Sequence, residues 1–227
     1  MNEIETKQKI RINGELALFI ALHLLSIGIV FFIICDIGIT PVQGLSYVLS
    51  TISSWSLGTW NFIIQAILFI FMLLIVRSFN ISYAVSFVTS FLYSFILDFY
   101  VAIINITVTN NLEISLLYIA GYILLCIGVA IFFICGAPLM PYDMFLRELV
   151  RVKKLNIGRA KFVFDFCCVF LTFFLSMVAI GRPIGIGIGT LIFALFVGPT
   201  ISIIIKFLNK YFEFFSIFKD KNIVSST

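Results

Sequence analysis

Few residues in this chain are equipped for chemistry, and those that are stand where lipid is expected. Asp98 lies in the run YSFILDFYV and Asp165 in KFVFDFCCVF. A carboxylate inside an apolar segment is costly, so each calls for a partner, a water-filled cavity or a passing ion. Lys161 precedes Asp165 by one helical turn and is placed to neutralise it. Gln65 and His23 are neutral polar groups inside other apolar runs, where they serve equally as glue between helices. Gln43 and Asp143 each follow a proline by two residues, in TPVQG and MPYDM. Proline suits the first position of a helix, and an acid in the first turn is stabilised by the helix dipole. Asp143 and Arg147 are spaced as an i,i+4 pair. The chemistry open to Asp98, Asp165, Gln65, Gln43 and Asp143 is the binding and passage of a proton, a cation or a small polar solute.

Covalent catalysis is not in view. There is one histidine, and neither a nucleophile–base pair nor a phosphate loop can be found. The cysteines Cys35, Cys126, Cys135, Cys167 and Cys168 form no C-x-x-C pair and have no histidine cluster beside them. Neither a metal site nor a disulfide framework is expected. The chain therefore reads as a non-enzyme without a cofactor or metal. The alternation GRPIGIGIGT offers no dinucleotide fingerprint, because no strand precedes it and no acid follows at the required distance.

The elements that hold these residues follow from composition. Of the 227 residues 62% are hydrophobic and 11% charged, whereas a soluble domain carries about a quarter charged. The solvent must be largely lipid. At roughly 20 residues per span, six spans fit: 16–35, 59–76, 81–104, 114–135, 160–180 and 185–207. The first run ends in Ile33-Ile34-Cys35, which suits an uncleaved span better than a signal peptide. Lys and Arg gather before span one (Lys7, Lys9, Arg11), at Arg77, along 136–159 and in the tail (Lys206, Lys210, Lys219, Lys221), with Arg182 as the one dissenter. Both termini are expected on the cytoplasmic side. No nucleic-acid motif is visible. The expected partners are the lipid bilayer and a small solute or ion; a homo-oligomer is compatible with the composition.

The chain also repeats itself. A shift of one hundred residues places Gly28 on Gly128, Cys35 on Cys135, Pro41 on Pro141, Gly58 on Gly158, Gln43 on Asp143 and Gln65 on Asp165. Three spans per half is an odd number, so the second half enters the membrane from the opposite side, as in many secondary transporters. The expected fold is an all-α polytopic membrane helix bundle of about six transmembrane helices. It is an inverted 3+3 repeat with a short amphipathic helix after the first span of each half. Residues 1–15 and 209–227 are cytoplasmic tails around the repeats 16–110 and 111–208. In the first short helix, Thr40 suits the N-cap and Gln43 the reciprocal bond of a capping box. Two readings of the short helices at 41–55 and 141–155 stand: interfacial, or dipping inward with their N–H groups turned to a solute. The charges of the second copy favour the interface. In the last span, Gly185, Gly187, Gly189, Gly198 and Pro199 mark a candidate hinge.

The stretches GLSYVLSTISSWSLGTWN, MPYDMFLRELV, KFVFDFCCVF and GIGIGTLIFALFVGP resemble the YczE branch of the YczE/YyaS/YitT family of bacterial integral membrane proteins. The resemblance runs from about Leu16 to Phe207 and implies a six-span helical fold in the bacterial plasma membrane. It brings no catalytic residues with it. The first half departs from the pattern at Pro41-Val42-Gln43, where an acidic or Trp-containing version is common. The functional expectation is a small secondary transporter or permease. The alternatives are a membrane-embedded substrate-binding subunit of a larger importer, or a non-transporting scaffold.

Overall fold

In the computed structural model, which describes residues 9–216, eight helices lie between two short strands. Lys7, Lys219 and Lys221 fall outside the described residues. The helices are α1 (Gly14–Cys35), α2 (Pro41–Ile52), α3 (Leu57–Val76), α4 (Ile81–Ile103), α5 (Asn111–Ile134), α6 (Pro141–Lys153), α7 (Ile157–Ile180) and α8 (Ile188–Tyr211). All but α2 and α6 are long and apolar enough to cross a membrane, and the protein is a multi-pass membrane protein. Five of the six spans begin with a side-chain cap: Asn13, Ser56, Asn80, Asn110 and Asn156 each accept a backbone N–H from the first turn. Such caps satisfy donors that the helix itself leaves open.

The centre of the bundle is the antiparallel pair α1 and α5. Half of the most apolar stretch of α1 is buried, against 11% for α8, so α1 is the post and α8 part of the rim. The pair is reciprocal in residues one hundred apart. A Cβ on Gly28 would stand 2.9 Å from the carbonyl of Gly121 and 3.1 Å from Leu125; one on Gly128 would stand 3.2 Å from the carbonyl of Ala21 and 3.1 Å from Leu25. At the two ends, the Cys35 thiol donates to the Ile114 carbonyl at 3.4 Å, while Gly14 packs on the Cys135 carbonyl. The two glycines allow backbones to approach as in other membrane helix pairs. The remaining packing keeps the same exchange: α1 lies on α4 and α5 on α8, α2 on α7 and α6 on α3.

The short helices begin at residues packed within the bundle. Pro41, Ile39, Leu139, Met140 and Pro141 are all buried. The chain leaves α1 or α5, runs extended into the bundle, and the short helix then starts inside and leads outward. The starts of both short helices are thus packed inside the protein, while the far end of α6 carries the exposed Arg151 and Lys153. Thr40 makes no side-chain cap, and Gln43 is turned away to other helices instead.

Two further features depart from the sequence reading. The sixth span begins at Ile188, because residues 181–187 form an irregular, bent stretch with Gly185 at φ +71°, tied to the chain after α1 by backbone hydrogen bonds. Ile39 N–H donates to the Gly185 carbonyl (3.1 Å) and Gly189 N–H to the Ile37 carbonyl (2.8 Å). Gly187 has no room for a side chain against Ile37, so its glycine serves backbone contact between two unwound segments. The second feature is a parallel strand pair that joins β1 (Ile10–Asn13) to β2 (Phe212–Phe215), with Ile10 opposite Phe212. Residues expected in free tails are thus joined on the face where α1 starts.

Candidate functional site

Four of the five expected site residues converge; the fifth does not. Asp98, near the end of α4, holds the start of α3. Its Oδ1 accepts the Gly58 N–H (2.6 Å) and its Oδ2 the Ser56 hydroxyl (2.5 Å). This carboxylate acts as a cap borrowed from another helix, at a helix N-terminus where negative charge is favoured. Its hydrogen-bond partners, Ser56 and Gly58, are not shared with the other four.

Gln43, Gln65, Asp143 and Asp165 sit in one polar layer where the first turns of α2 and α6 approach the middle of α3. Gln43 Nε2 donates to the Tyr93 hydroxyl (3.1 Å) and its Oε1 accepts from Asn61 Nδ2 (3.2 Å). Gln65 Nε2 donates to Asn61 Oδ1 (3.1 Å) and contacts the Met140 sulfur (3.7 Å). Gln65 Oε1 faces the Tyr142 backbone N–H, at a long 3.5 Å. An amide relay thus connects the starts of the two short helices. Asn61 is 2% exposed and Gln65 4%, and buried amides of this kind have to be hydrogen-bonded.

The layer continues as an ionic group at a more open edge. The Tyr142 hydroxyl donates to Asp165 Oδ1 (3.0 Å) and accepts from Lys161 Nζ (2.6 Å), and Lys161 closes the triangle on Asp165 Oδ2 (3.2 Å). The neutralisation of Asp165 by Lys161 is as the spacing indicates. Burial, with Asp143 and Asp165 close by, holds the Tyr142 phenol far above its ordinary range, so it remains a donor. Burial also pushes the Asp143 carboxyl up to about 6, with Lys161 pulling it down and Asp165 raising it. The ion pairs of α6 run from Arg147 (3.8 Å) and Arg151 (2.5 Å) to the buried Glu148.

The one-hundred-residue shift maps one half of this layer on the other. Gln43, Asn61 and Gln65 occupy the positions of Asp143, Lys161 and Asp165. The first half holds three bonded amides; the second holds two acids and a base. Sequence reading missed Asn61 and Tyr93. Asn61 was legible as the counterpart of Lys161, but Tyr93 reads as one more aromatic in an apolar run. His23 is outside the layer, with Nδ1 2.9 Å from the Tyr100 hydroxyl. Of the candidate hinge residues, Gly185 and Gly187 lie in the bent stretch before α8, and Gly189, Gly198 and Pro199 lie inside α8.

Among the described residues no group of His, Cys, Asp and Glu is arranged to hold a metal ion. No curated protein and no solved structure matches the chain. A family model does match, over residues 12–206, and the chain belongs to that family, described as a family of unknown function (DUF6198).

Proposed function

We propose that the protein is a small secondary transporter or permease of the bacterial plasma membrane, built as an inverted 3+3 repeat, with both termini cytoplasmic. The observation that carries this reading is the meeting of two short helices, started inside the bundle from opposite ends of α1 and α5, at a shared polar layer. Solute sites of inverted-repeat transporters lie near the midplane at the repeat interface and use interrupted helices. The reciprocal contacts of Gly28 and Gly128 support the duplication. The distribution of Lys and Arg supports the orientation, and the likeness to the YczE branch supports the location. The amides Gln43, Asn61 and Gln65 are the solute-facing groups in this reading; Asp143, Lys161 and Asp165 are the ionic ones.

The test is a thermal-stabilisation screen of the purified protein in detergent against small polar solutes. A solute that raises the unfolding temperature of the wild type and fails to raise that of Gln65→Leu supports the site. Stabilisation that survives Gln65→Leu and Asn61→Leu alike places binding elsewhere and contradicts it.

A further inference from the structure

We infer that the molecule is built as two bodies, and that an arm of α2, α3, α6 and α7 rocks against a frame of α1, α4, α5 and α8. The frame is held by the α1–α5 crossing, with α4 on α1 and α8 on α5, and by the strands that tie the start of α1 to the end of α8. The arm is held by α2 on α7 and α3 on α6, with α2 also on α3 and α6 on α7. Four connections lead from one body to the other: 36–40, 77–80, 136–140 and 181–187. None of them is helical. Each holds a residue with positive φ: Asp36 and Gly38, Arg77, Gly136, and Gly181 with Gly185. Hinges between packed bodies are made of such short non-helical segments.

Within the frame the two halves match at the one-hundred-residue shift. Tyr100 of α4 meets His23 of α1 (2.9 Å), and Thr200 of α8 meets Tyr122 of α5 (2.8 Å), beside the counterpart of His23. Ser86 of α4 donates to the Leu139 carbonyl (2.5 Å), and the chain on either side of its counterpart, Ile186, bonds Ile39 and Ile37. Between frame and arm the match fails. α3 packs along α4, whereas among the described residues α7 has no comparable contact with α8. The most apolar stretch of α4 is accordingly 39% buried and that of α8 11%. On the closed side Phe62 of α3 meets Phe87 and Phe91 of α4, with ring centroids 5.1 and 5.6 Å apart. The counterparts of Phe62 and Phe91 are Phe162, 70% exposed, and Leu191, 65% exposed.

Two glycines carry the argument further. Gly58 is packed against the Ser94 carbonyl, and a Cβ there would stand 2.6 Å from the Asp98 carboxyl carbon. Its counterpart Gly158 and the counterpart of Asp98, Gly198, make no such contact. A Cβ on Gly158 would meet only Asn156, the cap of its own helix, and one on Gly198 would meet nothing within 4 Å. Glycine within a helix is unfavourable, and here neither position uses it for packing. They stand where the first half makes its glycine-tight crossing, and they mark the surfaces on which α7 and α8 close. In the second state α7 crosses α8 at Gly158 and Gly198, and α3 leaves α4. The present state is closed where α3 begins and gapped where α7 begins, which is the cytoplasmic side in the orientation proposed above. The helix that lacks its partner is the one that brings Lys161 and Asp165 to the polar layer.

The inference rests on the inverted repeat of the proposed transporter, not on the polar layer as a solute route, and its test needs no solute. Dipolar electron spin resonance reads distances between spin labels on the protein in lipid nanodiscs, in a Cys167→Ser background whose other cysteines are buried. One label pair, at Arg159→Cys and Leu195→Cys, reports on the gap. Its counterpart, at Thr59→Cys and Phe95→Cys, reports on the closed side. All four positions are exposed, which leaves room for the labels. The gap pair is expected to show a long distance and a shorter one that matches the main distance of the counterpart pair. The counterpart pair is expected to show a minor long distance. Gly198→Leu has room in the present state and none in the second. It is expected to remove the shorter distance of the gap pair, while the closed side keeps its main distance and so reports an intact fold. A single distance at the gap pair, or a shorter one that Gly198→Leu leaves unchanged, overturns the rocking; if that protein moves solute all the same, the transport reading stands. Two distances in a protein that moves no solute uphold the rocking and overturn the transport reading.

Discussion

At the scale of the residue, two carboxylates that look alike in sequence differ in what they touch. Asp98 and Asp165 both stand inside apolar runs. Asp98 meets the open N–H groups of α3, and Asp165 meets a lysine and a tyrosine. Nothing within either run distinguishes them, since the decisive contact of Asp98 comes from a helix start some forty residues earlier. Lys161 was legible because its partner is one turn away. Asp98→Ala is expected to lower stability by about 1–2 kcal/mol, the loss typical of a helix cap, read as a lower thermal midpoint in detergent. Asp143 carries a prediction about pH. Its folded carboxyl, near 6, lies above the ordinary 3.8. The fold therefore favours the protonated form, and this contribution is fully present below 3.8 and lost as pH rises through about 6. The stability difference between wild type and Asp143→Asn should accordingly change across that window, to the disadvantage of the wild type at higher pH; urea titrations at several pH values measure it.

At the scale of the element, the shift of one hundred residues was visible because Gly, Cys and Pro stand out in a chain of Phe, Ile and Leu. The physical content of that shift is the crossing of α1 on α5. Gly28 meets Gly121 and Leu125; Gly128 meets Ala21 and Leu25. Gly28→Val and Gly128→Val should each destabilise by about 1–3 kcal/mol through overpacking against backbone, and by similar amounts if the crossing is reciprocal. Thermal unfolding of the two variants side by side checks this. The short helices were legible as elements but not in their placement, because the hydrophobic pattern of α2 and α6 suits a membrane surface and a bundle interior alike. The cap expected of Thr40 and Gln43 gave way to bonds from Gln43 to Tyr93 and Asn61. A local cap competes with any long-range partner, and only the fold brings that partner close. The glycine alternation at 185–189 was visible as a disturbance of the last span. Its use in pairing with Ile37 and Ile39 depended on a contact nearly 150 residues away in sequence.

At the scale of the whole molecule, an antiparallel central pair carries two similar sets of elements, and their first short turns meet in one layer. The layer is unequal: amides on one side, two acids and a base on the other. The parallel strands β1 and β2 bind the start of α1 to the end of α8, with Arg11 3.8 Å from Glu213. Four-residue strands two hundred residues apart leave no periodicity to read, and so the sequence treats them as tails. The account makes the polar layer the route of a solute and leaves Asp98 outside it. Flux into proteoliposomes tests this most directly, with the solute found by stabilisation and with wild type, Gln65→Leu, Asp165→Asn and Asp98→Asn compared at equal reconstituted amounts. The account predicts uptake by the purified wild type and by Asp98→Asn, and a loss of at least about tenfold in the other two, the change expected when a transport step loses about 1.4 kcal/mol of stabilisation. Equal flux in all four, or no flux by the purified wild type, would contradict it.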